Sequence, residues 1–469
     1  MEARTFGLVL AAGAGSRFGG GKLLARVGGR PVLQYVLDAL AEAGISDVVV
    51  VLGADASAVE AAITWHSETR VVNPAPERGL SSSLQVGFAV VPADADAVLV
   101  ALGDQPLVPV DVIRALIAAP CRPDRPIAVP VFADGHARNP VMLHRPAFGL
   151  VAETTGDRGL GPIIDAHPDL VTEIAATGDN PDVDTTDDLV AVLETAWATR
   201  VRANRQQVDR FREVPDGTDF YAPVSSLFRA DPTRRDDPVL DVLLGFVRSG
   251  DTWLDVGAGA GRFALPLART LDPSGGSVVA LDTSRSMLEG LREIADDYAI
   301  ENVRAIEARW PPDDPGRTGA FGADVALIAH VGYDIEAIGP FLGALEDAAD
   351  WLCIAVLMER VPASAADPFW PPVHGETRVS LPAMPEVVEI LEARGRRPAV
   401  IRVEVEPRRF DNRDQLAGFV RRQLWIDPDG PKEARLQAAL DALAVSDGDG
   451  WALKDRGTST VGIVTWAPR

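Results

Sequence analysis

Short apolar runs alternate with amphipathic stretches over the first 197 residues of the chain. The apolar runs are rich in β-branched residues, as buried strands are, whereas the stretches between them have the spacing of helices with one apolar face. This alternation predicts a doubly wound α/β domain with a largely parallel sheet, which binds ligands at the carboxyl ends of its strands. The predicted strands are residues 6–10, 47–52, 69–72, 97–101, 127–131, 139–143 and 171–174, and the predicted helices are 32–43, 56–62, 80–90 and 110–117.

The pattern changes between residues 198 and 237, where arginine, aspartate and proline are frequent and no strand pattern is visible. A structureless stretch of this length is uncommon inside a compact domain. We therefore expect a linker that runs into a helical lead-in, ending with a helix over residues 238–247. The predicted domains are residues 1–198 and 199–469.

The second half returns to alternating strands and helices, which predicts a second Rossmann-like α/β domain. A first strand begins at Thr252, and a helix over residues 413–425 carries several arginines, interpreted as a solvated face. The remaining predicted elements are strands 278–282, 303–306, 325–328 and 459–466 and a helix over 262–270.

Composition narrows the classes of ligand. A formal net charge of −23 argues against a general binder of nucleic acid or of membrane surfaces. Two cysteines, Cys121 and Cys353, exclude a disulfide framework and a cysteine metal site. No apolar stretch is long enough to span a membrane, and Arg17 interrupts the first one too early for a secretion signal. We therefore expect a cytoplasmic protein that acts on small molecules.

The first predicted strand breaks into a glycine-rich loop that contains two cations, Arg17 and Lys22. Glycines let the backbone approach an anion and present N–H groups to it, and the two cations can neutralise phosphate oxygens. Strand, glycine loop and helix is the order of a phosphate-binding site. A tight turn without a ligand also favours glycine, so the loop alone leaves both interpretations open.

Residues 10–22, LAAGAGSRFGGGK, resemble the pattern LAAGxGxRxGxxK of the MobA-like nucleotidyltransferases position for position. The Ala11-Ala12-Gly13 form is similar to the molybdenum cofactor cytidylyltransferase branch, because the guanylyltransferase branch tends to carry glycine in place of Ala12. The resemblance implies a GT-A-like nucleotidyltransferase fold, CTP as the nucleotide, and Arg17 and Lys22 on its phosphates. The implied nucleotide-binding residues of this loop are Leu10, Ala11, Ala12, Gly13 and Gly15.

Residues 79–84, GLSSSL, follow Asn73 and resemble the G-x-S-S-S-L element of the same family. The resemblance implies nucleotide contacts from Asn73, Gly79, Ser82 and Ser83. The alternative is that the serines only cap the next helix.

Asp104 directly follows an apolar strand, in the sequence Leu102-Gly103-Asp104-Gln105-Pro106. A carboxylate at the carboxyl end of a central strand lies at the expected ligand crevice, where a triphosphate requires Mg²⁺. The alternative is a solvated loop aspartate. The sequence resembles the metal-binding DxP element of the family. Residues 182–189, DVDTTDDL, resemble its closing DxDTxxDL element, which implies Asp184 as a second Mg²⁺ ligand and Asp182 as the reserve.

The segments 136–141 and 155–159 resemble the elements that hold the acceptor phosphate in this family. The implied acceptor-binding residues are Arg138, Asn139, Asp157 and Arg158. The family commonly has a Gly-His pair where this chain has Arg138-Asn139. The resemblance implies a phosphorylated acceptor such as molybdopterin, and a sugar phosphate is the alternative.

In the second half, residues 252–263 read as a strand, a D-x-G-x-G-x-G turn and a helix. The turn resembles motif I of the class I S-adenosylmethionine-dependent methyltransferases. The glycines and an acid after the next strand would also suit NAD, but Asp255 before the glycines and the SxxML element at residues 284–288 favour S-adenosylmethionine. The implied cofactor-binding residues are Asp255, Gly257, Gly259, Gly261, Asp282 and Ala329.

The methyl acceptor is not evident from the pattern. We place His330 and Tyr333 beside the acceptor, interpret residues 368–375 as a lid, and favour a structural role for His374 over a general base. Many relatives have an aspartate where this chain has Arg309.

We therefore predict a Mg²⁺-dependent nucleotidyltransferase fused to a methyltransferase. Its partners are CTP, the phosphorylated acceptor and S-adenosylmethionine, and a molybdoenzyme or chaperone is a candidate protein partner. The rival hypothesis makes the second half a non-catalytic S-adenosylmethionine sensor or a scaffold.

Overall fold

A computed structural model describes residues 4–13, 15, 17–133, 135, 139–214, 229, 231–312, 321–406, 409–448, 450–454 and 459–469. The chain divides into two compact units, Met1–Ala196 and Trp197–Arg469. Each unit is an α/β domain built on a seven-stranded sheet.

The first unit alternates strands and helices along the chain. Its strands are β1 (Thr5–Ala11), β2 (Arg26–Val27), β3 (Arg30–Pro31), β4 (Val48–Leu52), β5 (Thr69–Val72), β6 (Ala97–Leu102), β7 (Ile127–Val131), β8 (Val141–His144) and β9 (Val171–Ala175). Its helices are α1 (Val32–Glu42), α2 (Ala56–Ala62), α3 (Leu80–Phe88), α4 (Val110–Ala118), α5 (Gly161–Ala166) and α6 (Thr186–Phe211), of which the last continues into the second unit.

The sheet of the first unit has the order β5-β4-β1-β6-β8-β7-β9. β8 runs antiparallel to both of its neighbours, and the other adjacent pairs are parallel. The parallel strand β6 lies directly beside β1, with Leu10 opposite Leu102. The glycine loop after β1 and the Asp104 loop after β6 therefore leave the same edge of the sheet.

Both faces of this sheet are covered by apolar side chains. Val9 and Ala11 belong to the core on the side of α1 and α4, whereas Leu8 and Leu10 belong to the core on the side of α3. Helix α3 lies so close to β1 that a Cβ atom on Gly87 would come within 2.4 Å of a Leu8 methyl group. Burial on both faces explains why the strands are continuous apolar runs.

The second unit has the same alternation. Its strands are β10 (Thr252–Val256), β11 (Ser277–Asp282), β12 (Val303–Glu307), β13 (Ala323–Ala329), β14 (Ala349–Met358), β15 (Ala399–Val405), β16 (Ala444–Asp447), β17 (Gly450–Leu453) and β18 (Ser459–Trp466). Its helices are α7 (Pro238–Leu244), α8 (Ala264–Leu271), α9 (Arg285–Asp297), α10 (Ile338–Ala348), α11 (Trp370–His374), α12 (Met384–Ala393), α13 (Arg413–Gln423) and α14 (Glu433–Leu443).

The main sheet of the second unit has the order β12-β11-β10-β13-β14-β18-β15. The first five strands of this order are parallel, and β18 runs antiparallel to β14 and β15. The central strand β10 lies between β11 and β13, so the glycine turn after β10 leaves the sheet beside Asp282 and Ala329. The sheet therefore brings together the ends of the three strands that carry the predicted cofactor residues.

Part of the predicted linker is helical. Helix α6 continues from Thr186 to Phe211, and its apolar residues Trp197, Val201 and Val208 are buried. The frequent arginines in this stretch obscured the helical spacing of the buried residues. Of the remaining predicted linker, residues 215–228 and 230 lie outside the described part of the chain.

The interpretation of residues 368–375 as a lid is wrong. Phe369, Trp370 and Val373 have no measurable exposure and belong to a core with α13 and α14. The Nε2 atom of His374 lies 3.1 Å from the carbonyl oxygen of Leu424, and burial lowers the pKa of His374 to about 4. These aromatic residues therefore stabilise the fold, and His374 is structural.

No helix among the described residues combines the length and the apolar character that crossing a membrane requires.

Candidate functional site

The glycine loop of the first unit encloses the side chain of Lys22. Strand β1 ends at Ala11, and Lys22 begins a single helical turn after the loop. A Cβ atom on Gly15 would approach Lys22 Cγ to 3.2 Å, and one on Gly13 would lie 4.0 Å from Lys22 Nζ. Gly15 also has a φ of 56°, which favours glycine. The loop therefore lies along the whole lysine side chain, and only 8% of Lys22 is exposed.

The ammonium group of Lys22 joins two carboxylates that are 80 residues apart in sequence. Lys22 Nζ donates to Asp104 Oδ2 at 2.5 Å and to Asp184 Oδ1 at 2.8 Å. The side chains of Lys22 and Asp104 are largely buried, whereas that of Asp184 is 47% exposed. Burial alone would lower the pKa of Lys22, but the two carboxylates outweigh it and raise the pKa. Lys22 is therefore a charged group between two acids.

Local hydrogen bonds hold the acidic segment against the loop that carries Asp104. The backbone N–H of Val183 donates to the Asp104 carbonyl oxygen at 3.0 Å. At the start of α6, the N–H groups of Asp184 and Thr185 donate to Asp188 Oδ2. Desolvation would raise the pKa of Asp188, but the hydrogen bonds from Thr185 outweigh it and lower the pKa. Asp188 therefore fixes the backbone beside Asp184.

A buried amide pair, Gln105 and Asn180, extends this framework, and sequence reasoning missed it. Asn180 Nδ2 donates to Gln105 Oε1 at 3.0 Å and to the Asn139 carbonyl oxygen at 3.2 Å. Gln105 Nε2 donates to Asp182 Oδ1 at 2.8 Å. The signal was the polar glutamine directly after Asp104, but its partners are 75 and 77 residues away.

Asp182 lies beside the other two acids. Much of Asp182 is exposed, but its carboxyl group lies against protein atoms. The pKa of Asp182 is raised to about 6, mainly by this desolvation and secondly by the charge of Asp104. Three carboxylates are thus close to one lysine.

The donor set suits a divalent cation with oxygen ligands. The Asp104 and Asp184 oxygens already converge on one positive charge, and Asp104 Oδ1 is buried without a hydrogen-bond partner in the described structure. In the described ranges, no group of three or more histidine, cysteine, aspartate or glutamate side chains is arranged to hold a metal. Two carboxylates agree with Mg²⁺, which usually keeps several waters and takes further ligands from substrate phosphates.

The predicted nucleotide residues after β5 form an internal network. Asn73 Nδ2 donates to Ser82 Oγ at 2.8 Å and to Ser83 Oγ at 3.0 Å, and all three residues are buried. Ser82 Oγ in turn donates to the Gly79 carbonyl oxygen. The structure therefore brings Asn73, Gly79, Ser82 and Ser83 together and fixes the loop between them.

Residues from the predicted nucleotide and acceptor groups line one small cavity of about 90 Å³. Leu10, Asn139 and Arg158 contribute to its wall, and Arg158 also forms a 2.8 Å ion pair with Asp165. Asp157 lies next to Gly79, because a Cβ atom on Gly79 would come within 2.4 Å of Asp157 Oδ1.

Two further arginines were predicted to belong to the site of the first unit, Arg17 and Arg138. Arg17 is exposed and forms no ion pair with the described residues. Arg138 lies outside the described part of the chain.

In the second unit, the glycine turn after β10 lies against the end of β11. Asp282 accepts from the N–H of Gly259 and from the N–H of Ser284, both at 2.8 Å. Gly257 has a φ of 74°, and a Cβ atom there would lie 2.4 Å from a Val331 methyl group. The turn is therefore held by Asp282 on one side and by the segment after Ala329 on the other.

Asp255 is a buried acid beneath this turn. Only 2% of it is exposed, and Asp255 Oδ1 has no partner in the described structure. Burial, with a smaller contribution from the Asp282 charge, raises the pKa of Asp255 to about 7. Two neighbouring acids therefore lie at this end of the sheet.

The residues placed beside the methyl acceptor differ in their surroundings. Tyr333 is buried and its hydroxyl oxygen accepts from the N–H of Met358 at 2.8 Å, so it anchors the end of β14. His330, directly after β13, and Arg309, just after β12, are exposed.

Two protein families match the chain. Residues 7–171 match the family described as the MobA-like NTP transferase domain. Residues 247–311 match a family described as a methyltransferase domain.

Three curated relatives resemble the first unit. The nicotine blue oxidoreductase of Paenarthrobacter nicotinovorans is 32% identical over 199 residues, which cover 40% of this chain and 95% of that protein. The bifunctional protein GlmU of Sinorhizobium fredii is 39% identical over 111 residues, or 23% of this chain and 24% of that protein. The probable molybdenum cofactor guanylyltransferase of Thermococcus kodakarensis is 32% identical over 133 residues, or 28% of this chain and 61% of that protein. The chain thus spans about a quarter of the length of GlmU.

Among solved structures, Rv0371c of Mycobacterium tuberculosis H37Rv shares 34% identity. The match covers 41% of this chain and 100% of that one, with a TM-score of 0.38.

Replacing the buried acid Asp255 by asparagine should change how stability depends on pH. The Asp255 carboxyl group loses its proton near pH 4 in the unfolded chain and near pH 7 in the folded chain. The wild type therefore loses stability as the pH rises from 4 to 7, and the loss persists at higher pH. We expect the stability of D255N relative to the wild type to rise between pH 4 and pH 8, by about 1 kcal/mol or more.

Urea unfolding followed by tryptophan fluorescence measures this difference, because all tryptophans except Trp65 lie in the second unit. D347N, which changes an exposed acid on α10, is the control and should show no such trend. A difference between D255N and the wild type that is independent of pH would contradict the prediction.

Proposed function

Because this chain belongs to the MobA-like NTP transferase family through its first unit, with a methyltransferase domain after it, we propose a Mg²⁺-dependent nucleotidyltransferase. It transfers CMP from CTP to molybdopterin or a similar phosphorylated small molecule. The observation that carries this proposal is the Lys22 side chain, which runs along the glycine loop and ends between Asp104 and Asp184.

The side chains have separate roles in the proposed reaction. The glycine loop directs backbone N–H groups at the phosphates, and Arg17 and Lys22 neutralise their oxygens. Asp104 and Asp184 hold Mg²⁺, which supplies charge neutralisation to the triphosphate when bound. Asn73, Gly79, Ser82 and Ser83 form the wall beside the base.

No protein nucleophile is needed, because the acceptor phosphate attacks the α-phosphorus itself. A bond forms between an acceptor oxygen and the α-phosphorus, and the bond from the α-phosphorus to the β-phosphate oxygen breaks. Pyrophosphate leaves with the electron pair of that bond. The protein therefore contributes position and charge.

The choice of acceptor rests on three observations, two for molybdopterin and one for another phosphate. The Ala11-Ala12-Gly13 form and the likeness to a probable molybdenum cofactor guanylyltransferase support molybdopterin. The Arg138-Asn139 pair departs from the family pattern and supports a different phosphate, such as a sugar phosphate, as the second candidate. Asn139, Asp157 and Arg158 are the described residues that we assign to the acceptor. Arg138, the fourth expected acceptor residue, lies outside the described part of the chain.

For the second unit, we propose S-adenosylmethionine-dependent methylation of a small molecule. The Asp255 carboxyl group, the glycine turn and Asp282 at the end of β11 support cofactor binding beside Ala329. Arg309, which stands where many relatives have an aspartate, supports the second candidate. This candidate is a non-catalytic S-adenosylmethionine sensor, or a scaffold that delivers the modified molybdenum cofactor to a molybdoenzyme or chaperone.

Pyrophosphate release with each of CTP, GTP, ATP and UTP tests the base and the acceptor together. We expect release with CTP to exceed release with the other nucleotides, and to require molybdopterin. A sugar phosphate as the acceptor is the parallel assay. Release that depends on neither base nor acceptor would overturn the cytidylyl proposal.

Single substitutions of the proposed metal ligands should remove most of this activity. We expect D104N and D184N each to lower kcat/KM for CTP by about 10²- to 10³-fold, because each removes charge that binds the cation opposite the phosphates. D187N is the matched control, since Asp187 is exposed on the first turn of α6, three residues after Asp184. An equally large loss of kcat/KM in D187N would show that removing any acidic charge in this region lowers the activity, and it would contradict the assignment of Asp104 and Asp184 as metal ligands.

Calorimetry with S-adenosylmethionine tests the second unit. We expect one site, weakened about tenfold or more in D282N, because ribose hydroxyls would lose a charged acceptor. D297N, on the exposed face of α9, should bind as the wild type does. Absence of binding in the wild type would exclude both methyl transfer and sensing, and binding without turnover would favour the sensor.

A further inference from the structure

Lys22 occupies the place between the carboxylates where a metal ion is expected. Its ammonium group donates a hydrogen bond to one oxygen of Asp104 and to one oxygen of Asp184, and only 10% of the lysine side chain is exposed. Asp104 Oδ1 is buried at the same point and has no hydrogen-bond partner among the described residues. A divalent cation that uses these carboxylates must therefore displace the ammonium group or lie next to it.

We propose that Lys22 is an internal substitute for the metal, so that the site takes the divalent cation together with the nucleotide and excludes the free cation. The proposal rests on the proposed function in one respect, namely that a nucleotide is the ligand that draws Lys22 away from the carboxylates. The competition between Lys22 and the cation is a property of the described residues themselves.

Charge decides this competition. An ammonium group a few ångströms from a dication is strongly repelled when water is largely excluded. Lys22 is also attached to the chain, so it loses no translational freedom when it binds the carboxylates, whereas Mg²⁺ must give up water that it releases reluctantly. The free cation is therefore the weaker competitor.

A triphosphate reverses the balance because it offers Lys22 other partners. The lysine side chain already lies along Gly13 and Gly15, where we place the phosphates, and its four-carbon stem is flexible. A small movement of Nζ from the carboxylates to a phosphate oxygen frees both acids. The incoming nucleotide thus draws Lys22 away from the carboxylates, and the cation bound to the nucleotide takes the position that Lys22 leaves.

Hydrogen bonds fix the backbone that carries the two carboxylates, and we therefore assign the movement to the Lys22 side chain. The Val183 N–H holds the backbone at Asp104, and the buried pair Gln105 and Asn180 holds Asp182. Asp188 fixes the backbone beside Asp184. The backbone of the acidic segments is therefore held by bonds that do not involve Lys22.

Binding of Mn²⁺ to the full chain without nucleotide, measured by electron paramagnetic resonance, tests this inference. We expect weak binding by the wild type and binding about tenfold tighter or more in K22M, because the substitution removes the competing charge. K22R keeps the charge and should bind as weakly as the wild type. Unchanged Mn²⁺ affinity in K22M would overturn the inference.

R17M is the matched control, because Arg17 lies in the same loop but forms no ion pair with the described residues. Its free-cation affinity should stay within about twofold of the wild type, since an exposed charge is screened. A gain in R17M as large as that in K22M would show that the net charge of the loop, and not the position of Lys22, excludes the cation, and would also overturn the inference.

Thermal unfolding gives a second measurement if K22M is unstable. We expect Mg²⁺ alone to raise the melting temperature of K22M and to leave that of the wild type nearly unchanged. An equal rise in the wild type would contradict the inference. Tighter Mn²⁺ binding in K22M without any nucleotide turnover by the wild type would leave this inference standing and refute the proposed function.

Discussion

The ion pairs of Lys22 with Asp104 and Asp184 join three segments that are distant in the chain: the glycine loop, the loop after β6 and the segment before α6. Burying a charge without a partner is costly, so each segment depends on the others for its electrostatic balance. The surrounding hydrogen bonds from Val183, Gln105 and Asn180 are consistent with this constraint. The geometry at the carboxyl ends of β1 and β6 follows from it.

The two units share the arrangement of the parallel strands at the centre of their sheets, but the charges at the ends of these strands differ. In each, a glycine turn follows the central parallel strand and an acid follows a neighbouring strand. In the first unit a lysine neutralises the acids, which suits an anionic ligand that arrives with a cation. In the second, Asp255 and Asp282 lie near each other, and burial of Asp255 raises its pKa to about 7. Neither acid forms an ion pair with the residues that the structure describes, which suits a ligand with positive charge such as the sulfonium and ammonium groups of S-adenosylmethionine.

Local pattern was enough to predict most strands, both glycine turns and the position of Asp104, because buried parallel strands are continuous apolar runs that end abruptly at the ligand edge. It was not enough for contacts between distant segments. Gln105 was visible as a polar residue, but Asn180 becomes its partner only when the acidic segment folds back over β6. The aromatic residues at 369 and 370 suggested a lid because nothing in their local sequence indicates the helices α13 and α14 that bury them. Arginines on α6 likewise concealed a helix whose buried face is apolar.

The net negative charge of the chain affects which form of a nucleotide can approach the Lys22 site. A net charge of −23 repels a triphosphate at long range, and the proposed site does little to reverse it, because Asp104, Asp182 and Asp184 offset the charges of Arg17 and Lys22. A nucleotide carrying its own divalent cation meets less repulsion than a bare one. In the proposed reaction, two of the acids that repel the free triphosphate, Asp104 and Asp184, would be ligands for the cation that accompanies it. The local excess of acid therefore favours the metal complex of the nucleotide over either component alone.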